Sequence, residues 1–193
     1  MGESRIESLK EEHLTQVCNL LNGAFHSKRF LGCLPCREST IAMAKRYAKY
    51  SQEKWKLGAV AIDSNGIVLG FTQMTTANLS VYPPGLHKCS QVEMYIEVVG
   101  VSEKARGKGI GGKLLQWCED TTKSSNRYAI LSLAVLRGNP AIRLYERHGF
   151  VVQEQHDAVD YCCGAIIVCC LFGRSYGCFE SEWGSLIMHK ALH

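Results

Sequence analysis

The chain has 193 residues, of which 46% are hydrophobic and 21% charged, with 18 glycines against 4 prolines; this excludes intrinsic disorder and collagen-like repeats and suits one domain around one core. The formal charge of +4, from 22 basic and 18 acidic side chains, is interspersed without a basic run, which argues against a nucleic-acid partner and suits an anionic ligand. The longest uncharged apolar stretch near the C-terminus, Tyr161 to Gly173, is shorter than the ~18 to 20 residues of a membrane-spanning helix.

Met1 to Ile6 carries no apolar signal core, and Ile6 stands where a myristoylation motif wants Ser or Thr. The expectation is a cytoplasmic protein whose ten cysteines are mostly reduced thiols; organelle import stays open. Ile6 to Leu9 reads as a short strand. Leu14, Val17, Cys18, Leu21, Ala24 and Phe25 then recur at helical spacing. After Gly32 and Pro35, a second helix is expected over Glu38 to Tyr50. Leu57 to Ile62 and Ile67 to Met74 are strands joined by Asp63-Ser64-Asn65-Gly66, where Asn-Gly supplies the positive φ values of a tight hairpin turn. Ala77 to Ser90 is a loop. Val92 to Val101 is a long strand that places Glu93, Tyr95, Glu97, Val99 and Val101 on one face by strict alternation. A helix over Lys113 to Thr122, a strand over Tyr128 to Leu136, a helix from Pro140 to His148, a strand from Phe150 to Gln155 and a closing strand from Leu186 to Leu192 complete the order. No repeat or low-complexity linker divides the chain, so residues 1–193 read as one domain.

The segment richest in chemistry is Arg106-Gly107-Lys108-Gly109-Ile110-Gly111-Gly112-Lys113-Leu114, between a strand and a helix. Glycines let the backbone approach a ligand, several amides converge, and the helix start adds partial positive charge, so this is an anion cradle. Gly107, Gly109 and Gly112 match the dinucleotide fingerprint, but no carboxylate follows in Ser124 to Tyr128. Leu114 stands where a nucleotide-triphosphate loop needs a magnesium-binding hydroxyl. A ligand-free turn is the plainer alternative, against which Arg106 and Lys108 speak.

The run Val101 to Gly111 followed by Leu114-Leu115 resembles the coenzyme A pyrophosphate loop of the GNAT acetyltransferase superfamily, Arg/Gln-x-x-Gly-x-Gly/Ala, met by Arg106, Gly109 and Gly111. Asn139-Pro140-Ala141-Ile142-Arg143-Leu144-Tyr145-Glu146-Arg147-His148-Gly149-Phe150 is similar to the same family's second signature. The resemblance is strongest over 92–150 and weaker before Leu57, and an atypical insertion occupies about 156–183. It implies an α+β fold with a mixed, mostly antiparallel sheet of about seven strands flanked by helices, and acetyl-CoA as cosubstrate with no metal. Pantetheine would lie against Val99 and Val101, the pyrophosphate on Arg106, Gly107, Lys108, Gly109, Ile110, Gly111 and Gly112, and Asn139 and Tyr145 would face the cofactor.

The implied reaction is direct attack of a primary amine on the acetyl thioester, which needs a neutral amine, a polarised carbonyl and a proton for the leaving thiolate. Tyr145 is the family-matched acid; a tyrosine that only packs helix on sheet is the alternative. Glu97 or Glu93 is the candidate base, directly or through water, against the reading of solvated or ion-paired glutamates. Neutralising a lysine at pH 7 costs about 4 to 5 kcal/mol and an α-amine only about 1, so the acceptor decides how strong a base is needed. A protein N-terminus, a lysine or a small amine all remain open, as do a non-catalytic acyl-CoA-binding module and an interaction domain.

Cys33-Leu34-Pro35-Cys36 has metal or redox spacing without a second pair. Cys162-Cys163 and Cys169-Cys170 read as core packing or a subunit contact. A thiol nucleophile is a rival mechanism that lacks a histidine at suitable spacing, and none of the seven histidines, His148 included, marks a site. The segment from His156 to Trp183 is expected to shape substrate access or form a homodimer contact.

Overall fold

The computed structural model describes residues 4–24, 39–79, 89–136, 138–153 and 185–192. In chain order these form β1 (Arg5–Ser8), α1 (Leu14–Ala24), α2 (Thr40–Tyr47), α3 (Gln52–Lys56), β2 (Gly58–Ile62), β3 (Val68–Thr76), β4 (Glu93–Val101), α4 (Ile110–Ser124), β5 (Ile130–Leu136), α5 (Ile142–Arg147), β6 (Val151–Gln153) and β7 (Ser185–Ala191). The strands make one seven-stranded sheet in the order β1-β2-β3-β4-β5-β7-β6. The β1–β2, β2–β3, β5–β7 and β6–β7 pairs are antiparallel, whereas Ala129 and Ile130 both donate to the Val92 carbonyl, so β4 and β5 start side by side. This is the expected mixed sheet flanked by helices. No helix among the described residues is long and apolar enough to cross a membrane.

The hairpin between β2 and β3 forms by a different turn from the one expected. Gly66 has φ 77°, but Asn65 does not enter the left-handed region. Asp63 instead organises the turn. Its Oδ1 accepts from Asn65 N and Ile67 N, each at 2.9 Å, and its carbonyl accepts from Gly66 N at 3.1 Å. The register shifts at Ala61/Ile62, the bulge that a longer turn ending in a left-handed glycine introduces.

The described residues divide into two compact units, each assembled from separate stretches. In the first, β1 to β3 and the later part of β4 carry helices on both faces. Leu14, Val17, Cys18 and Leu20 of α1 and Met43 and Tyr47 of α2 pack on Val60, Ile62 and Phe71. Ile110 and Leu114 of α4 pack on Ala61, with Val99 and Val101 against them. Ser39 caps α2 through its hydroxyl on Ala42 N at 3.1 Å, and Ser51 caps α3 through Lys54 N at 3.2 Å. The short α3 is absent from the sequence reading because five residues give too little periodicity.

The second unit holds the start of β4 with β5, α5, β6 and β7. Leu131, Leu133, Val135, Ile187, Met188, Tyr145 and Phe150 are buried there. The β6 segment is described over Val151–Gln153. The Cys33/Cys36 pair, the cysteines at 162, 163, 169 and 170, and the 156–183 insertion lie outside the described residues.

Candidate active site

The glycine loop is built by anchors at its two ends. Ser102 N donates to the Leu69 carbonyl at 2.9 Å, and Ala105 N to Ser102 O at 2.9 Å, which closes a tight turn over Glu103–Ala105. Ala105 and Ile110 are buried, while Arg106, Gly107, Lys108 and Gly109 between them are exposed. Gly107 and Gly109 have φ of 74° and 76°. A Cβ at either would meet nothing within 4 Å, so glycine is required there by backbone conformation and not by crowding.

Gly109 caps α4, whose first main-chain bond runs from Lys113 N to Gly109 O at 3.1 Å. The amides of Ile110, Gly111 and Gly112 therefore precede the helical ladder and are directed out of the helix start. The helix begins at Ile110 and not at the expected Lys113, because Ile110 and Leu114 anchor its first turn in the core. Lys113 turns away from the loop: its Nζ donates to Ser4 O and Oγ, each at 3.0 Å.

Strand β4 departs from strict alternation. Val99 and Val101 pack with Ile110 and Leu114 of α4, whereas Val98 packs with the cluster of α1 and α2. A Cβ at Gly100 would touch Leu20 and Leu21 of α1 at 3.0 Å. Glu97 nevertheless pairs with Lys54 of α3, on the side where Tyr47 bonds Gln73. Consecutive Glu97 and Val98 thus meet the same side, and Glu97 does not share a face with Val99 and Val101 as alternation had placed it. The Val98 carbonyl at this break accepts from Thr72 Oγ1 at 3.0 Å.

The two candidate glutamates are both engaged. Glu97 Oε1 lies 2.7 Å from Lys54 Nζ, with both side chains only 2% exposed. Burial pushes the Glu97 carboxyl above its ordinary range, with Lys54, then Arg46 and Thr75, acting in the opposite direction. The Lys54 ammonium also stands 5.5 Å from the Tyr50 ring centroid. Glu93 is buried; its Oε2 accepts from Ser90 N at 2.8 Å and its Oε1 from the Ser132 hydroxyl.

On the second signature, Asn139 Oδ1 accepts from Ala141 N at 2.9 Å and its carbonyl from Ile142 N at 3.0 Å. Asn139 thereby forms the turn that starts α5, with Pro140 just outside the helix. Tyr145 is buried on α5, its ring edge-on to Phe150 with centroids 6.2 Å apart. Phe150 N returns to the Tyr145 carbonyl at 3.1 Å. Cys118 of α4 is buried beside Thr72, and burial pushes its thiol up to about 12, so it is no nucleophile at neutral pH. No group of three or more potential metal ligands occurs among the described residues.

Sequence reasoning missed Lys54, Ser132 and His189. Lys54 sits on the unforeseen α3. The pairing of Ser132 with Glu93 and of Ser132 with His189 across β5 and β7 joins residues far apart in sequence, and no local pattern carries it.

Residues 15–150 match the model of the acetyltransferase (GNAT) family, and the chain belongs to that family. Over 91 residues it is 30% identical to "Putative phosphinothricin acetyltransferase YwnH" of Bacillus subtilis (strain 168), covering 47% of this chain and 51% of the relative; the chain thus spans about half the length of that curated relative. Its fold is similar to an N-acetyltransferase from Staphylococcus aureus Mu50, with a TM-score of 0.68 at 20% identity and 99% of both chains covered. It is also similar to yncA from Salmonella typhimurium, solved with its cofactor acetyl-CoA, with a TM-score of 0.64 at 19% identity over 98% of this chain and 94% of that one.

Proposed function

We propose that this chain transfers the acetyl group of acetyl-CoA to a primary amine in a ternary complex, without a covalent acetyl-enzyme. The observation that carries the reading is the Ser102–Gly112 element. An exposed loop with left-handed Gly107 and Gly109 runs into three unladdered first-turn amides, inside the residues matched by an acetyltransferase family. A diphosphate suits such donors, and the Arg106 and Lys108 side chains add charge beside it. The yncA neighbour binds acetyl-CoA, which supports the same ligand here. No metal enters the reading.

In this reading Val99, Val101 and Asn139 belong to the cofactor side, Asn139 by fixing the start of α5. Tyr145 gives its phenolic proton to the departing thiolate. Glu97, sealed against Lys54, acts on the site through its charge and not by contact with the amine. Glu93 is the carboxylate that assists removal of the amine proton, through groups hydrogen-bonded to it. The acceptor class is an amino nitrogen, as in the name of the N-acetyltransferase neighbour. The high proton affinity of the described Cys118 argues against a thioester on that residue. The reading also places the chain in the cytoplasm, where acetyl-CoA and amines meet.

The test is thiol release from acetyl-CoA against a panel of an amino-acid amide, a lysine peptide and a polyamine. Release with at least one amine is expected. Tight CoA binding with no release across the panel would defeat transfer and leave a binding module. Gly109→Ala tests the cradle separately: forcing a Cβ into the left-handed region costs about 1–2 kcal/mol. CoA affinity by titration calorimetry should fall about tenfold, with turnover at saturation little changed; unchanged affinity would remove the loop from the binding site.

A further inference from the structure

The β5–β7 register sets Ser132 directly opposite His189, and the β6–β7 register sets Val151 on the other side of His189. Opposed residues of an antiparallel pair project from one face, with Cβ atoms about 4.5–5.5 Å apart. Ser132 is 1% exposed, and its single hydrogen goes to Glu93 Oε1. Towards the imidazole the hydroxyl therefore has only lone pairs to offer. His189 Nδ1 is buried with no hydrogen-bond partner, a condition that buried polar atoms rarely keep. By register, Ser132 with Glu93 bonded to it, Val151 from β6, and Ile187 and Ala191 of its own strand share this face with His189; Lys190 belongs to the opposite face by alternation.

We propose that Glu93, Ser132 and His189 form a proton relay in which His189 Nε2 takes the proton of the acceptor amine. The inference rests on the acetyl-transfer reading above and names its base. Nδ1–H donates to Ser132 Oγ through one water, while the Ser132 hydrogen stays on Glu93. That bond fixes the tautomer with the lone pair on Nε2. The ammonium N–H bond breaks, its electron pair stays on nitrogen, and the proton moves to Nε2; the imidazolium then faces the Glu93 carboxylate through Ser132. The neutral amine attacks the acetyl carbon and the carbonyl π pair moves to oxygen; as that pair returns, the C–S bond breaks, the thiolate leaves with its electron pair and takes the Tyr145 phenolic proton, and the second N–H proton lost by the new amide restores Tyr145. Ser132 and Glu93 are positioning residues; His189 is the catalytic one.

The test uses the full chain with three readouts. In the wild type, ¹⁵N imidazole spectra should report the Nδ1–H tautomer of His189, and Ser132→Ala should lose that preference. Thiol release with the amine panel should fall about 100-fold in His189→Gln at pH 7. The deficit should shrink to about threefold near pH 10, where the amine is itself largely neutral. A deficit equal at every pH, no deficit, or a tautomer indifferent to Ser132→Ala would overturn the relay. A wild-type chain that releases no thiol with any amine would defeat the transfer reading itself, whereas release with a pH-independent His189→Gln deficit would defeat the relay alone.

Discussion

Replacing Tyr145 with Phe is expected to lower turnover about 1000-fold while leaving CoA affinity within about twofold. Phe keeps the buried ring against Phe150, and the main-chain bonds of the α5 end, His148 N and Phe150 N to the Tyr145 carbonyl, do not involve the side chain. Folding and the start of β6 should therefore survive. What is lost is a hydroxyl that stays protonated at neutral pH and can give its proton to a developing thiolate. General acid catalysis contributes about 10²–10⁴-fold, and the loss falls on kcat because a group that acts only as the C–S bond breaks does not help ground-state binding. Rapid-quench or continuous thiol assays at saturating acetyl-CoA, paired with calorimetric CoA titration, separate the two quantities. Turnover within about threefold of wild type would take Tyr145 out of the acid role and leave it a packing residue.

The order of elements was legible in the sequence because most of it rests on local signals. The helical spacing of Leu14 to Leu21, the turn residues that join β2 and β3 into a hairpin, and the apolar β5 run each mark their own element, although the type of that turn differs from the one expected. The glycine loop was legible for the same reason: left-handed backbone at Gly107 and Gly109 leaves its mark on residue type. What stayed hidden depends on partners distant in the chain. Strict period-two reading gave Glu97 the same face as Val99, and the break at Glu97–Val98 is visible only once Lys54 and α1 have taken opposite neighbours of β4 onto one side. The early start of α4 was missed because propensity penalises Gly111 and Gly112, while Ile110 and Leu114 gain enough from burial to hold that turn. Ser132 and His189 look like ordinary strand residues until the β5–β7 register sets them together.

The Lys54–Glu97 pair carries the largest expected effect on stability. Two opposite charges, each 2% exposed and 2.7 Å apart, offset each other's desolvation only while both are present. Lys54→Met leaves the carboxylate buried without its ammonium, and unfolding free energy at pH 7 should fall by about 3–5 kcal/mol. The pH dependence fixes the cause. Burial raises the Glu97 carboxyl above its ordinary value of about 4.5, so the folded chain holds that proton to higher pH than the unfolded chain does. Stability from this group is then fully present below about 4.5 and is lost as pH rises through the folded value. With Lys54 removed the folded value rises further, so the Lys54→Met deficit should be large at pH 7 and shrink towards pH 4.5, where the buried group becomes neutral. Replacing both partners by apolar residues, Lys54→Met with Glu97→Leu, removes both charges and should recover most of the loss at pH 7. Urea unfolding of the wild type and these variants across pH 4.5 to 8 measures all three terms. A single-variant loss below about 1 kcal/mol, the range of an exposed pair, or a loss that does not vary with pH, would mean that water reaches the pair in solution and that Glu97 is open to the acceptor after all.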